Sequence, residues 1–247
     1  MPATPAWPPR SLTRLYVREP LVEGAAVALD ANQANYLGNV MRKSVGDELL
    51  VFDGRSGEWL ARIAEAGKKR MTLVVEQRTR EPETLPDLLL AFAPVKRAQT
   101  DWLVEKATEL GVAALQPVMT RRTIAERVKQ ERLEGIAVEA AEQCGRTILP
   151  EILEPLPLDR FLAERGRRTL YFADEQGGAP VAGALAPGPA AILIGPEGGF
   201  TEEERALVRA APDSVAISLG PRILRAETAA LAAASLFMAL AGDWRDA

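Results

Sequence analysis

The sequence predicts an α/β protein in two parts, a small N-terminal β-barrel followed by a larger domain in which strands and helices alternate. Three observations carry that expectation. Between Leu15 and Val75 the apolar residues come in short runs broken by Gly or Asp, the rhythm of a meander of short strands. After Pro86 the apolar runs alternate with segments of helical period, the pattern of strand and helix units around a parallel sheet. Between them, 78–86 holds two prolines and several charges and reads as a linker.

Taken in order, residues 1–13 read as a flexible leader, because proline interrupts their only apolar stretch and no continuous signal-peptide core results. The barrel is assigned to 14–77. Its strands are expected at 15–17, 27–29, 48–52, 59–61 and 71–75, with one short helix around 32–41. Asp53-Gly54 followed by Ser56-Gly57 is expected to turn a hairpin between two of these strands.

The larger domain is assigned to 87–247. Leu88 to Ala93 is a continuous apolar run, suited to a strand buried on both faces. Thr100 to Leu110 has helical spacing, Ala113 to Met119 reads as a strand, and Lys129 to Cys144 as a long helix. A proline-rich connection runs through Pro157, and strands follow at 169–173, 190–194 and 215–219. Thr201 with Glu204 has the spacing of a capping box. Glu227 to Ala241 is an alanine-rich closing helix.

Composition narrows the chemistry. The 247 residues include one cysteine, Cys144, and no histidine. A single cysteine allows no intrachain disulfide framework and favours a cytoplasmic address; without a second Cys or a His to activate it, Cys144 reads as a small packed residue. The lack of histidine removes the usual zinc site, the Ser-His-Asp triad and the usual general base, so no metal is expected, and no apolar run is long enough to cross a bilayer, so no membrane role is expected. Net charge is −4, yet 1–80 hold 12 Lys/Arg against 9 Asp/Glu while 81–247 hold 18 against 25. The N-terminal part is thus the better phosphate-contacting surface.

Two segments stand out in the larger domain. Ile194-Gly195-Pro196-Glu197-Gly198-Gly199-Phe200-Thr201 lies between a buried strand and a capped helix, and Leu219-Gly220-Pro221-Arg222-Ile223-Leu224-Arg225-Ala226-Glu227-Thr228-Ala229 also follows a strand and opens a helix. Strand ends of this kind bind ligands in α/β sheets. Glycines at 195, 198 and 199 permit close backbone approach and positive φ. Neither segment is a dinucleotide fingerprint or a phosphate loop. Read as plain structure, the first is a tight turn, and Arg225 with Glu227 is a surface ion pair.

These two segments resemble the signature of the RsmE family, the ribosomal RNA (uracil-N3) methyltransferases of the SPOUT superfamily. Similar residues recur at Arg14-Leu15-Tyr16-Val17, Leu37 to Arg42, Val45-Gly46-Asp47, Phe52-Asp53-Gly54, Lys106 to Val112, and Glu139 to Arg146 with Pro150. The resemblance covers about 14–242. It implies a PUA-like RNA-binding barrel and a C-terminal domain threaded into a trefoil knot, a topology that composition does not reveal. It also implies a homodimer acting on small-subunit ribosomal RNA, with S-adenosyl-L-methionine as cofactor. The cofactor would be held by Ile194, Gly195, Pro196, Glu197, Gly198 and Gly199, by Leu219, Gly220, Ile223, Leu224, Arg225, Thr228 and Ala229, and by the turn after 169–173.

For the chemistry, Arg225 is expected to stabilise negative charge on the base, with Glu197 or Glu142 taking the proton, since the N3 of uracil is a weakly acidic imide. Arg14, Arg42 and Lys43 are expected to contact phosphates. Gln143 and Arg146 are expected on the substrate or dimer side, although Glu142 and Arg146 also have the spacing of a helix-surface pair. Where relatives often carry histidine before Leu37, this chain has Asn35 and Tyr36, and Tyr36 can stack on a base. Two other readings stay open: a SPOUT ribose 2′-O methyltransferase, and an RNA-binding protein without transfer.

Overall fold

The computed structural model describes residues 12–67, 70–124 and 128–245, so nearly all of the expected leader lies outside the described residues. The chain divides into two units. Of the described residues, the first comprises those of 12–84 together with 141–149, and the second those of 85–140 with 150–245.

The first unit is built on a five-stranded sheet. Its elements are β1 (Arg14–Tyr16), β2 (Ala26–Leu29), α1 (Ala31–Asn35) running into a π-helical turn (Tyr36–Val40), β3 (Glu48–Phe52), β4 (Glu58–Ala66) and β5 (Met71–Arg80). The strand order is β1-β3-β4-β5-β2, with β1 parallel to β3 and the other neighbours antiparallel. Alternate residues fill one core, among them Leu15, Val27, Val51, Ile63 and Leu73, as the two-residue period of a strand requires. Asp30 caps α1 through a reciprocal arrangement with Gln33. The expected linker begins later than residue 78, because β5 continues pairing with β4 as far as Arg80.

The expected turn after β3 forms. Asp53 accepts from the amides of Leu21, Arg55 and Ser56 and from the Ser56 hydroxyl, and Gly54 and Gly57 take positive φ. At Gly57 any Cβ would run into the carbonyl of Arg80 on the paired strand, so glycine is required there.

The second unit contains a parallel sheet. In chain order its elements are β6 (Leu88–Phe92), α2 (Arg97–Glu109), β7 (Ala114–Met119), α3 (Gln130–Cys144, its last residues in the first unit), β8 (Glu151–Ile152), β9 (Leu156–Pro157), α4 (Leu158–Glu164), β10 (Thr169–Ala173), β11 (Ala179–Pro180), α5 (Val181–Ala184), β12 (Ala190–Ile194), α6 (Glu202–Ala210), β13 (Ser214–Ser218) and α7 (Ala226–Leu240). The sheet order is β11-β13-β10-β12-β6-β7-β8, and every neighbouring pair is parallel.

Burial on both faces explains the unbroken apolar runs. Leu88, Leu90 and Phe92 of β6 join Ile192 and Ile194 of β12 in a core shared with α2 and α7. Leu89, Ala91 and Leu193 point the other way, toward Phe161 of α4 and Val208 of α6. Because the strands are parallel, the loops that follow β6, β7, β10, β12 and β13 all emerge at one edge of the sheet. Among the described residues no helix is long and apolar enough to cross a membrane.

Candidate functional site

The strand-end edge of the second unit gathers both distinctive segments. β12 is flanked by β10 and β6, and β10 by β13, so the loops after β10, β12 and β13 are successive neighbours. That juxtaposition is the arrangement in which open α/β sheets hold ligands.

The loop after β12 is fixed by packing. The ring of Phe200 is buried and closes against Gly195, where a Cβ would lie 2.9 Å from it. Gly199 alone of the three expected glycines has positive φ, +68°, and a side chain there would collide with the Glu175 carboxylate. Gly198 is the roomy one: a Cβ would meet only the Arg122 side chain, at 3.4 Å. The expectation of positive φ at 195 and 198 is therefore corrected. At 195 glycine is required for close approach to a ring.

Neighbouring loops brace this one. Arg122, in the loop after β7, donates from Nη1 to the carbonyl of Gly198 at 2.7 Å. Glu204 accepts from the amide of Arg121 as well as from Thr201 in the capping box. In the loop after β10, Asp174 accepts from the guanidinium of Arg205 at 3.1 Å and from Arg209 at 2.6 Å. Arg205 also meets Glu175 and Glu202. Enclosure pushes the Asp174 carboxyl up, but hydrogen bonds from the Gln176 amide and Arg209, with the charges of Arg209 and Arg205, outweigh this and hold it below the ordinary carboxylate range.

The loop after β13 is open to solvent. Gly220 has φ +108°, Ile223 is 93% exposed, and Leu219 and Leu224 lean on the core from its margin. Arg225 is exposed and begins α7 without a side-chain cap. It makes no ion pair with Glu227, so that reading is corrected. Glu227 instead turns inward, 8% exposed, and its Oε2 is buried with no hydrogen-bond partner among the described residues. Glu197 is exposed and shares a small recess with Lys96, Arg122 and Pro196. Two expected cofactor contacts are placed otherwise. The Ile194 carbonyl accepts from Ala93 and its side chain is in the core, while the Ala229 amide bonds to Arg225 within the helix and its side chain is buried. Thr228 is exposed.

The first unit corrects three further expectations. Arg14 is 9% exposed, pairs with Glu58 at 2.7 Å, and donates to the carbonyls of Ala141, Glu142 and Arg146; its guanidinium is enclosed and committed, so it is a strut and offers no surface for phosphate. Arg146 is likewise buried and donates to the carbonyl of Ile148. Glu142 accepts from the Tyr16 amide at 2.9 Å, which is a structural task. Arg42 and Gln143 are exposed and Lys43 half-buried. Arg42 takes φ +55°, beside exposed Tyr36, Val40 and Met41.

Sequence reasoning missed Lys96, Arg122, Asp174, Arg205 and Glu227. Only Asp174 carried a local signal, as a carboxylate directly after a buried strand.

Comparison with known proteins adds the following. Residues 81–238 match the model of an RNA methyltransferase domain, and 29–76 that of an RNA methyltransferase PUA domain. The chain is 32% identical over 225 residues to the ribosomal RNA small subunit methyltransferase E of Rickettsia conorii, covering 89% of this chain and 92% of that one. It is 34% identical over 238 residues to the protein of the same name from Synechocystis, covering 92% and 77%. Among solved structures, a ribosomal RNA small subunit methyltransferase E from Neisseria gonorrhoeae bound to S-adenosyl methionine matches with a TM-score of 0.85 at 31% identity, covering 94% of this chain and 99% of that one. A methyltransferase from Legionella pneumophila in complex with the same cofactor matches with a TM-score of 0.84 at 31% identity, covering 95% and 99%.

Proposed function

The chain belongs to the ribosomal RNA small subunit methyltransferase E family, and on that premise we propose that it transfers a methyl group from S-adenosylmethionine to N3 of a uridine in small-subunit ribosomal RNA. The observation that carries this is the gathering, at one sheet edge, of the Gly195–Gly199 loop and the Leu219–Arg225 loop on either side of the loop after β10, in a chain that aligns over almost its whole length with a cofactor-bound relative.

The residues present suit that cofactor. Exposed Ile223 and half-buried Leu219 and Leu224 supply apolar contact, Gly195 to Gly199 and Gly220 supply accessible backbone, and the unpartnered Glu227 oxygen supplies an acceptor. When bound, S-adenosylmethionine supplies an electrophilic methyl group on a sulfonium that departs as a neutral thioether. The protein's share is alignment and control of charge on the acceptor. Arg225, exposed and without an ion pair among the described residues, is placed to stabilise the imide anion of the base. Glu197 takes the proton in this reading, and Glu142, engaged by Tyr16, does not.

In the first unit, Arg42 and Lys43 beside exposed Tyr36 form the RNA-facing surface of this proposal: cations for phosphate and a ring for a base. Gln143, exposed at the end of α3, stays a polar RNA candidate. A homodimer belongs to the same reading. Trp102 on α2 and Trp244 just past α7 are 43% and 45% exposed, and those two helices pack together. A trefoil threading of the β10, β12 and β13 loops, and a cytoplasmic address set by the substrate, follow from the same proposal.

The test is incubation of the protein with methyl-labelled S-adenosylmethionine and small ribosomal subunits lacking uracil-N3 methylation. Label recovered as N3-methyluridine is expected. Label on ribose oxygen, or none with an active control enzyme alongside, overturns the assignment.

A further inference from the structure

Beside the Gly195–Gly199 loop, on the same sheet edge, lies a cavity of about 510 Å³ between the β6–α2 turn and the start of α3. That volume falls in the range of small-ligand sites, about 300–1,000 Å³. Resting on the methyltransferase reading, we propose that this cavity takes the target nucleotide of the RNA, its phosphate held at the rim by Lys96, Arg97 and Lys129.

The chemistry of the lining divides in two. Val95, Ile124, Val128 and Leu133 give an apolar wall suited to the flat face of a base. At the rim, Lys96, Arg97 and Lys129 are exposed, and among the described residues none of the three forms an ion pair. A fourth cation, Arg132, is neutralised by Asp101. The result is a local excess of positive charge in a domain whose sequence is acidic overall.

The placement of these cations is itself informative. Lys96 is the N-cap of α2 and Arg97 its first residue, and no side chain caps that end. The positive end of a helix dipole disfavours cations. Two basic side chains there are offset when an anion occupies the same point, where helix amides and cations act together. The second carboxylate oxygen of Asp101, Oδ1, is buried without a partner among the described residues, and Asp101 belongs to the cavity lining. It gives the site an acceptor for a sugar or base donor, which a site for a bare anion would not need.

The cavity also connects with the proposed chemistry. Lys96 and Ile124 line both this cavity and the recess containing Pro196 and Glu197. An RNA nucleotide extruded from its stack into the cavity would therefore stand next to the residue assigned to its proton.

The experiment uses the full chain with S-adenosylhomocysteine present. Affinity for a small-subunit ribosomal RNA fragment is measured across salt concentrations, and calorimetry follows S-adenosylhomocysteine alone. The Lys96→Ala, Lys129→Ala double variant changes only exposed side chains. It is expected to bind RNA about tenfold or more weakly and to show a salt slope shallower by about 1, for the one phosphate whose contact is lost, while cofactor-product affinity stays the same. Val128→Phe, which narrows the cavity without altering charge, is expected to weaken RNA binding and leave the slope unchanged. RNA affinity and slope unchanged in the double variant overturn the proposal, and so does a loss of S-adenosylhomocysteine affinity, which would make the rim a cofactor-carboxylate site. Wild-type protein that binds the RNA in this way yet places no methyl group on N3 would sink the functional assignment and leave the cavity's occupant standing.

Discussion

Arg122 and Gly198 are joined by a 2.7 Å hydrogen bond from guanidinium to carbonyl, although they lie in loops that follow different strands of the sheet. Through this bond the loop after β7 restrains the most exposed part of the glycine loop. A charge-assisted bond of this kind contributes about 1.5–3 kcal/mol when enclosed and less at a solvated position. Arg122→Ala is therefore expected to weaken S-adenosylmethionine binding by about three- to tenfold in calorimetry, with a melting temperature within a few degrees of the wild type.

The glycines of that loop are not equivalent. Gly199→Ala places a side chain at positive φ and against the Glu175 carboxylate, and a loss of about 2 kcal/mol in urea denaturation is expected. Gly198→Ala meets only the movable Arg122 side chain and is expected to cost less than about 1 kcal/mol. Gly198→Val fills space at the ligand-facing edge and should abolish cofactor binding while the chain still folds. Normal methylation by Gly198→Val would remove this loop from the cofactor site.

Asp174 gives the fold an acid limit. Its carboxyl is held below the ordinary carboxylate range despite enclosure, by the Gln176 amide and by Arg209 and Arg205. A depressed folded value means that its stabilisation is complete above about pH 4, where aspartate of the unfolded chain is already ionised. It is lost as the pH falls through the lower folded value. Asp174→Asn is expected to lower stability at neutral pH by about 2–4 kcal/mol, since two guanidinium groups lose their shared anion. The variant should also show a flatter decline in stability below pH 4 than the wild type.

Arg14 and Arg42 should separate cleanly in one pair of measurements. Arg14→Ala strips Glu58 and three carbonyls of a donor, and about 3–5 kcal/mol of stability should go with it. Arg42→Ala should leave stability within about 0.5 kcal/mol, because alanine keeps the Cβ that Arg42 already carries at positive φ. It should lower the salt slope of RNA binding by about 1. An unchanged slope would exclude Arg42 from the phosphate surface.

What could be read in advance follows from the range of the interactions involved. The strands at 169–173 and 190–194 were legible because burial on both faces leaves an unbroken apolar run, and the start of α6 because Thr201 and Glu204 form a capping box within four residues. The glycine loops were legible as turns between such elements. Arg14 and Arg146 were misassigned because an arginine in sequence reads as surface charge, whereas the carbonyls that satisfy Arg14 are supplied more than 120 residues later. The cavity rim went unseen for a related reason. Lys96 and Lys129 become neighbours only when the β6–α2 turn and α3 meet, and no local pattern encodes that meeting.

The contribution of residues 141–149 to the first unit bears on how the chain can be dissected. A fragment ending near residue 84 would contain every strand of the five-stranded sheet. It would nevertheless lack the carbonyls that receive the Arg14 guanidinium, the carboxylate that receives the Tyr16 amide, and Thr147, whose hydroxyl and amide bond to Glu83. The N-terminal unit is thus discontinuous in sequence. It cannot be exchanged between relatives as a cassette by one crossover, and a chimaera that respects its boundaries needs three junctions, near residues 84, 140 and 150.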